Sequence, residues 1–116
     1  MGDLIVLGYL ALGFVPMILA NSKTPGGRFK SEGAYSGEDF RESILFPKYN
    51  EAKKAGDTLI VDLDGGYGYG SSFLEEAFGG LARKLHDKSI LNNIKIISDE
   101  EPRLIDDIKK YIEEAL

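Results

Sequence analysis

At 116 residues, with 43% hydrophobic and 28% charged side chains, the chain has the size and balance of one globular domain that needs no metal or disulfide staple. The absence of cysteine excludes disulfide frameworks, thiolate zinc sites and cysteine nucleophiles, and a lone histidine, His86, leaves little material for a Ser–His–Asp triad or a histidine metal cluster. The net charge of −5 is uneven, with seven acids against three bases over residues 99–116 and seven bases against five acids over residues 23–54, and neither stretch is a basic stripe that would grip nucleic acid.

Leu4–Ala20 is a run of seventeen uncharged residues interrupted by Gly8, Gly13 and Pro16. A membrane span of about 20 apolar residues is one reading of it. The preferred one splits the run at Gly13 into two buried strands, Leu4–Leu12 and Phe14–Asn21, because short apolar runs bounded by glycine suit strands covered on both faces. No basic residue precedes the run and no signal-peptide pattern follows it, so a cytoplasmic protein with no membrane partner is expected. Thr24-Pro-Gly-Gly27 is turn chemistry. A helix is predicted from Ser36, whose hydroxyl caps it while Glu38 and Asp39 suit its positive end. Pro47 predicts a kink or break, with a second helical piece over Pro47–Lys54.

After Ala55-Gly56-Asp57, the β-branched run Thr58–Leu63 is the clearest strand. A glycine-rich crossing, Asp64–Gly70, leads to a helix over Ser72–Leu85, with Ser72 and Glu75 spaced as a capping box and an apolar stripe at the 3.6-residue period. His86 reads as an exposed residue at the end of that helix. Asn92-Asn93 marks a turn and Ile94–Ser98 a second central strand. The last helix opens near Ser98 and Asp99, with Leu104, Ile105, Ile108, Tyr111 and Ile112 as its buried face. Strand, helix, strand, helix from residue 58 onward predicts a single α/β domain over residues 1–116, with a mixed sheet of about four strands.

Ligands of open α/β sheets bind beyond the carboxyl ends of the strands, which here means the segment from Asp62 to Ser72. Free N–H groups at a helix start form an anion site, and a phosphate on Ser71 or Ser72 would meet the positive end of the helix. The glycines fit neither the Walker nor the dinucleotide spacing. Asp62-x-Asp64-Gly at a strand end resembles the first motif of the haloacid dehalogenase phosphatases. The alternative reading is therefore a Mg²⁺-dependent phosphate-ester hydrolase holding its metal through Asp62 and Asp64. Otherwise no cofactor and no catalytic residue is expected.

Three blocks, Ser22-Lys-Thr-Pro-Gly-Gly-Arg28, Tyr35-Ser-Gly-Glu-Asp-Phe-Arg41 and Val61-Asp-Leu-Asp-Gly-Gly-Tyr-Gly-Tyr-Gly-Ser-Ser-Phe-Leu-Glu-Glu-Ala-Phe-Gly-Gly-Leu81, resemble the bacterial STAS-like domain family of unknown function. More distantly the chain is similar to the anti-sigma-factor antagonists, which carry a phosphorylatable serine at the start of the helix after a strand and short loop. That resemblance implies Ser71 or Ser72 as phosphoacceptor, although the antagonists have Asp before the serines where this chain has Gly70, and Gly after them where it has Phe73. It implies a non-enzymatic partner-switching module in signalling. The partner would be a GHKL-type ATPase or serine kinase, or an anti-sigma-like protein, bound through Asp64, Gly66, Tyr67, Gly68, Tyr69 and Gly70. A third reading is an unmodified interaction domain, with Tyr67 and Tyr69 either exposed as a contact surface or packed over the sheet end.

Overall fold

The β-branched run after Gly56 forms the middle of the sheet. The computed structural model describes residues 4–6, 27–32, 36–64 and 69–116. Strand β2, Leu59–Asp62, lies between β1, Leu4–Val6, and β3, Ile94–Ile97, and both pairings are parallel. Among the described residues the sheet therefore has three strands, all parallel, where the sequence suggested about four in a mixed sheet. Leu4–Val6 keeps part of the expected first strand. The second expected strand, Phe14–Asn21, the turn at Thr24-Pro25-Gly26 and the rest of the apolar run lie outside the described residues. Among the described residues, no helix is long and apolar enough to cross a membrane.

Helix α1 spans residues 37–55 as an α-helical turn Gly37–Phe40, a π-turn Arg41–Leu45 and an α-helical segment Phe46–Ala55. It opens on Ser36, whose Oγ accepts from the Asp39 N–H at 3.0 Å. Helical backbone runs on through Pro47, and the α-helical segment that holds it in its first turn, Phe46–Ala55, matches the predicted second piece over Pro47–Lys54. A proline lacks the N–H that would bond four residues back, and the backbone widens one turn ahead of it, so that the Phe46 N–H reaches the Arg41 carbonyl five residues back. Proline then occupies the first turn of the next α-helical segment. Gly56, at φ 74°, closes the helix in the left-handed region that favours glycine.

Helix α2 spans residues 71–85: Ser71–Leu74, a π-turn Glu75–Gly79, and Gly80–Leu85. It begins one residue before the predicted start, with Gly70 rather than Ser72 at the cap, and Glu75 reaches arginines instead of closing a capping box. Phe73, Leu74, Ala77, Phe78, Leu81 and Ala82 are all buried. Helix α1 packs against one side of α2 and α4, Arg103–Ala115, against another. A short helix α3, Ile90–Asn93, replaces the predicted Asn92-Asn93 turn. His86 is exposed at φ 48° and ends α2, as its position in the sequence suggested. Ile105 departs from the predicted buried face of α4: Leu104, Ile108 and Ile112 are buried, whereas Ile105 is 39% exposed.

The two π-turns face each other across an ionic cluster. Arg41 Nη1 donates to the Glu76 carboxylate at 2.5 Å and to the Glu76 carbonyl at 2.8 Å, with both side chains largely buried. Arg28 Nη1 reaches Glu75 at 2.6 Å and Glu76 at 3.3 Å, and Arg83 holds Glu75 at 2.6 Å from the other side. Arg28 is brought there by main-chain bonds, since the Gly37 and Glu38 N–H groups donate to the Gly27 and Arg28 carbonyls at 2.8 and 2.9 Å.

This cluster explains the paired glycines of α2. A Cβ at Gly80 would overlap the Arg41 guanidinium, and one at Gly79 would sit 2.6 Å from the Glu75 carboxylate. Glycine in a helix costs about 1 kcal/mol against alanine, a disadvantage offset here by room for buried charges and their partners. On α1, a Cβ at Gly37 would run into the Phe73 carbonyl, so the two helices meet backbone to backbone at that point. Rings close the rest of the contact, with Phe40 stacked on Phe73 at 5.9 Å and tilted against Phe78 at 6.3 Å.

Gly37→Ala should destabilise the fold by about 1–3 kcal/mol in urea denaturation, despite alanine's better helix propensity, because a main-chain carbonyl has to move. The Glu75 carboxyl is held below its ordinary value, first by the Arg83 hydrogen bond, against the opposing effect of burial, and also by Arg28. Glu42 is lowered chiefly by Arg41. A lowered carboxyl contributes stability that is complete above the ordinary value of 4.5 and is lost as pH falls through the folded-state value. Unfolding free energy should therefore drop on acidification from about pH 5 to 3, and Glu75→Gln should flatten that slope.

Candidate functional site at the carboxyl edge of the sheet

Parallel strands deliver their carboxyl ends to one side, and β2 and β3 end there next to each other. The ladder continues one residue past β2, with the Leu63 N–H donating to the Ile97 carbonyl at 2.9 Å. Asp62 Oδ1 accepts from the Asp64 N–H at 2.9 Å, a local turn that short acidic side chains make readily. Asp64 then bridges the two strand ends, with Oδ2 accepting from the Asp99 N–H at 3.0 Å and Oδ1 from the Glu100 N–H at 2.9 Å. Ser98, buried, donates from Oγ to the Glu101 carbonyl at 2.7 Å and shapes the same turn.

These contacts assign different work to the two aspartates. Burial pushes the Asp62 carboxyl up, the Asp64 N–H opposes this, and the nearby carboxylates of Asp64, Asp99 and Glu100 add to the rise. Asp64 is a crosslink whose two oxygens each face a backbone donor. A cation held by this pair would have to compete with those N–H groups. Among the described residues, no group of three or more His, Asp or Glu side chains is arranged to hold a metal ion.

Of the predicted loop, Gly66, Tyr67 and Gly68 lie outside the described residues. Tyr69 follows the packing alternative. Its ring meets Phe73 at 6.1 Å and its hydroxyl donates to the Leu63 carbonyl at 3.1 Å, so Tyr69 is held against the end of β2. Burial first, then the charges of Asp62, Asp64 and Glu100, push the Tyr69 phenol well above its ordinary value, and it stays a neutral donor.

Gly70 caps α2 with extended backbone, and Ser71 and Ser72 are exposed in the first turn. Ser71 differs from Ser72 by lining a cavity of about 260 Å³ with Tyr69, Arg103, Asp107 and Tyr111. Arg103, 74% exposed at its side chain, pairs with Glu101 at 2.9 Å and Asp107 at 3.6 Å. Sequence reasoning missed Arg103 and the Asp64 clasp. Arg103 stands just after Pro102 at the start of α4, and the pairing of Thr58–Leu63 with Ile94–Ser98 was the one signal that both would reach this edge.

A family model described as the STAS-like domain of unknown function (DUF4325) matches residues 36–104. The match begins at the Ser36 cap and ends at Leu104 in the first turn of α4, covering both π-turns, two of the three described strands and the serine pair. No curated protein and no solved structure gives a significant match. The chain belongs to the STAS-like domain family of unknown function.

The two aspartates should separate cleanly on substitution. Asp62→Asn keeps the bond from the Asp64 N–H and removes a charge that the folded state disfavours. It should raise stability at pH 7 and have little effect near pH 3, where the native carboxyl is already protonated. Asp64→Asn turns an amide NH₂ toward one of the two N–H donors and should cost about 1–2 kcal/mol in chemical denaturation.

Proposed function

We propose that this member of the STAS-like domain family is a non-enzymatic, regulatory protein-binding module that is switched by phosphorylation of Ser71. Its interaction surface is the exposed opening turn of α2 with the preceding loop, including Asp64, Tyr69 and Gly70 and extending over Gly66, Tyr67 and Gly68. Its partner is a GHKL-type ATPase or serine kinase, or an anti-sigma-like protein, in a cytoplasmic partner-switching system like that of the anti-sigma-factor antagonists.

The observation that carries this reading is the position of Ser71. The hydroxyl lies at the first turn of a fifteen-residue helix, beside a polar cavity that also holds Arg103. A phosphate there gains the positive end of the helix dipole and a change of about −2 in local charge. It also competes with Glu101 and Asp107 for the Arg103 guanidinium, drawing the start of α4 into the response. Ser72 shares the helix start but not the cavity, and for that reason Ser71 is preferred over it. The occupied oxygens of Asp64 favour this reading over the hydrolase alternative.

The tagged protein recovered from its own cytosol should carry a form roughly 80 Da heavier, one phosphoryl group, mapping to Ser71. Ser71→Asp should weaken capture of the co-purifying partner roughly tenfold or more, equivalent to about 1.4 kcal/mol, and Ser72→Asp should have a smaller effect. An unmodified bait whose partner binding is indifferent to both substitutions would sink the switch.

A further inference from the structure

Helix α4 packs on the π-turn and last turns of α2, and a groove of about 280 Å³ is left between it and β3. The groove touches Ile94, Lys95 and Ile96 in succession. Neighbouring strand residues point to opposite faces, so a groove that meets three in a row follows the edge of the strand. Among the described residues, no strand pairs with β3 on the side away from β2. An open edge bordered by apolar surface is the arrangement that accepts an added strand: main-chain bonds supply affinity and pockets for alternate side chains supply selectivity. The far wall carries Ile105 and Ile112, and the exposure of Ile105, on a helix whose other isoleucines are buried or nearly so, belongs to this groove.

The charges choose the occupant. Among the described residues the two charged side chains that line the groove are both lysines, Lys95 and Lys109, in a chain whose net charge is −5. Both are exposed, and neither is in an ion pair with a described residue. A second copy of this chain added edge to edge would bring lysines toward lysines, which disfavours self-association. Lysine on an edge strand also serves as a guard against aggregation, but a guard does not require an apolar trough beside it.

We infer that the β3 edge and α4 form a second protein-binding site, which takes an extended segment of a partner protein carrying large apolar side chains flanked by aspartate or glutamate. The groove shares no lining residue with the Ser71 cavity, although α4 borders both. The partner's strand continues the sheet past β3, its apolar side chains enter the groove, and its carboxylates meet Lys95 and Lys109.

The test is selection of displayed random heptapeptides on the full-length protein, followed by fluorescence anisotropy of the selected peptides and hydrogen exchange of their complexes. Selected peptides should combine a central large apolar residue with flanking acids and should slow amide exchange within Ile94–Ile97. They should bind at least tenfold more weakly to a Lys95→Glu/Lys109→Glu variant, and selection on that variant should return basic flanks. Both lysines are exposed, and circular dichroism checks that the variant is folded. The inference is overturned by a selection that yields no binders, by binders without acidic bias, or by affinities indifferent to the charge reversal. It is equally overturned by a dimer in sedimentation that Ile105→Asp dissociates, since the groove would then be covered by a second copy.

Discussion

The buried pair between Arg41 and Glu76 is the constraint around which the helical layer is arranged. Two charges largely removed from water hold only if both find partners, because an orphaned one costs several kcal/mol. Arg41 satisfies its side of this by bonding both the carboxylate and the carbonyl of Glu76. Glu76 is completed by Arg28, Glu75 is shared between Arg28 and Arg83, and Glu42 takes Arg41 Nε at 2.9 Å and Lys84 at 3.2 Å. The backbone departs from regular helix at the same two places, residues 41–45 and 75–79. The glycine pair and the two wide turns are thus the means by which one guanidinium is seated between two helices.

Much of this was legible in the sequence as pattern but not as purpose. The Ser36 cap, the apolar face of α2, the end of α1 at Gly56 and the two inner strands follow from local chemistry, and each fell within a residue or two of its expected place. On local grounds Pro47 is incompatible with an ordinary helix interior. The backbone's answer, a π-turn immediately before it, depends on tertiary packing and has no local signature. Arg28, Arg41 and the Gly79–Gly80 pair all stand in the blocks that carry the family resemblance. Their meeting could not be read from spacing, because it joins residues 35 to 48 positions apart.

The carboxyl edge of the sheet divides in the same way. The expectation of a working region after β2 rests on the general behaviour of parallel sheets. Which side chains are structural there does not. Asp62 and Asp64 look equivalent on paper, yet one is half-buried against an unfavourable charge and the other fastens two strand ends together. Ile105 matched the apolar period of its helix and nonetheless points to a groove. Periodicity reports which face of a helix is apolar, and the neighbouring elements decide how much of that face is covered.

The glycine pair of α2 has a consequence for recognition. A fifteen-residue helix is marginal in water even with good helix formers, and two central glycines and a π-turn weaken this one further. Cut out as a peptide, residues 71–85 would not hold the turn that presents Ser71; that turn exists because Arg41 and Phe40, supplied from another part of the chain, clamp the helix that follows it. Under the proposed switch, an enzyme acting on Ser71 would meet it on a folded surface that a short synthetic peptide does not reproduce.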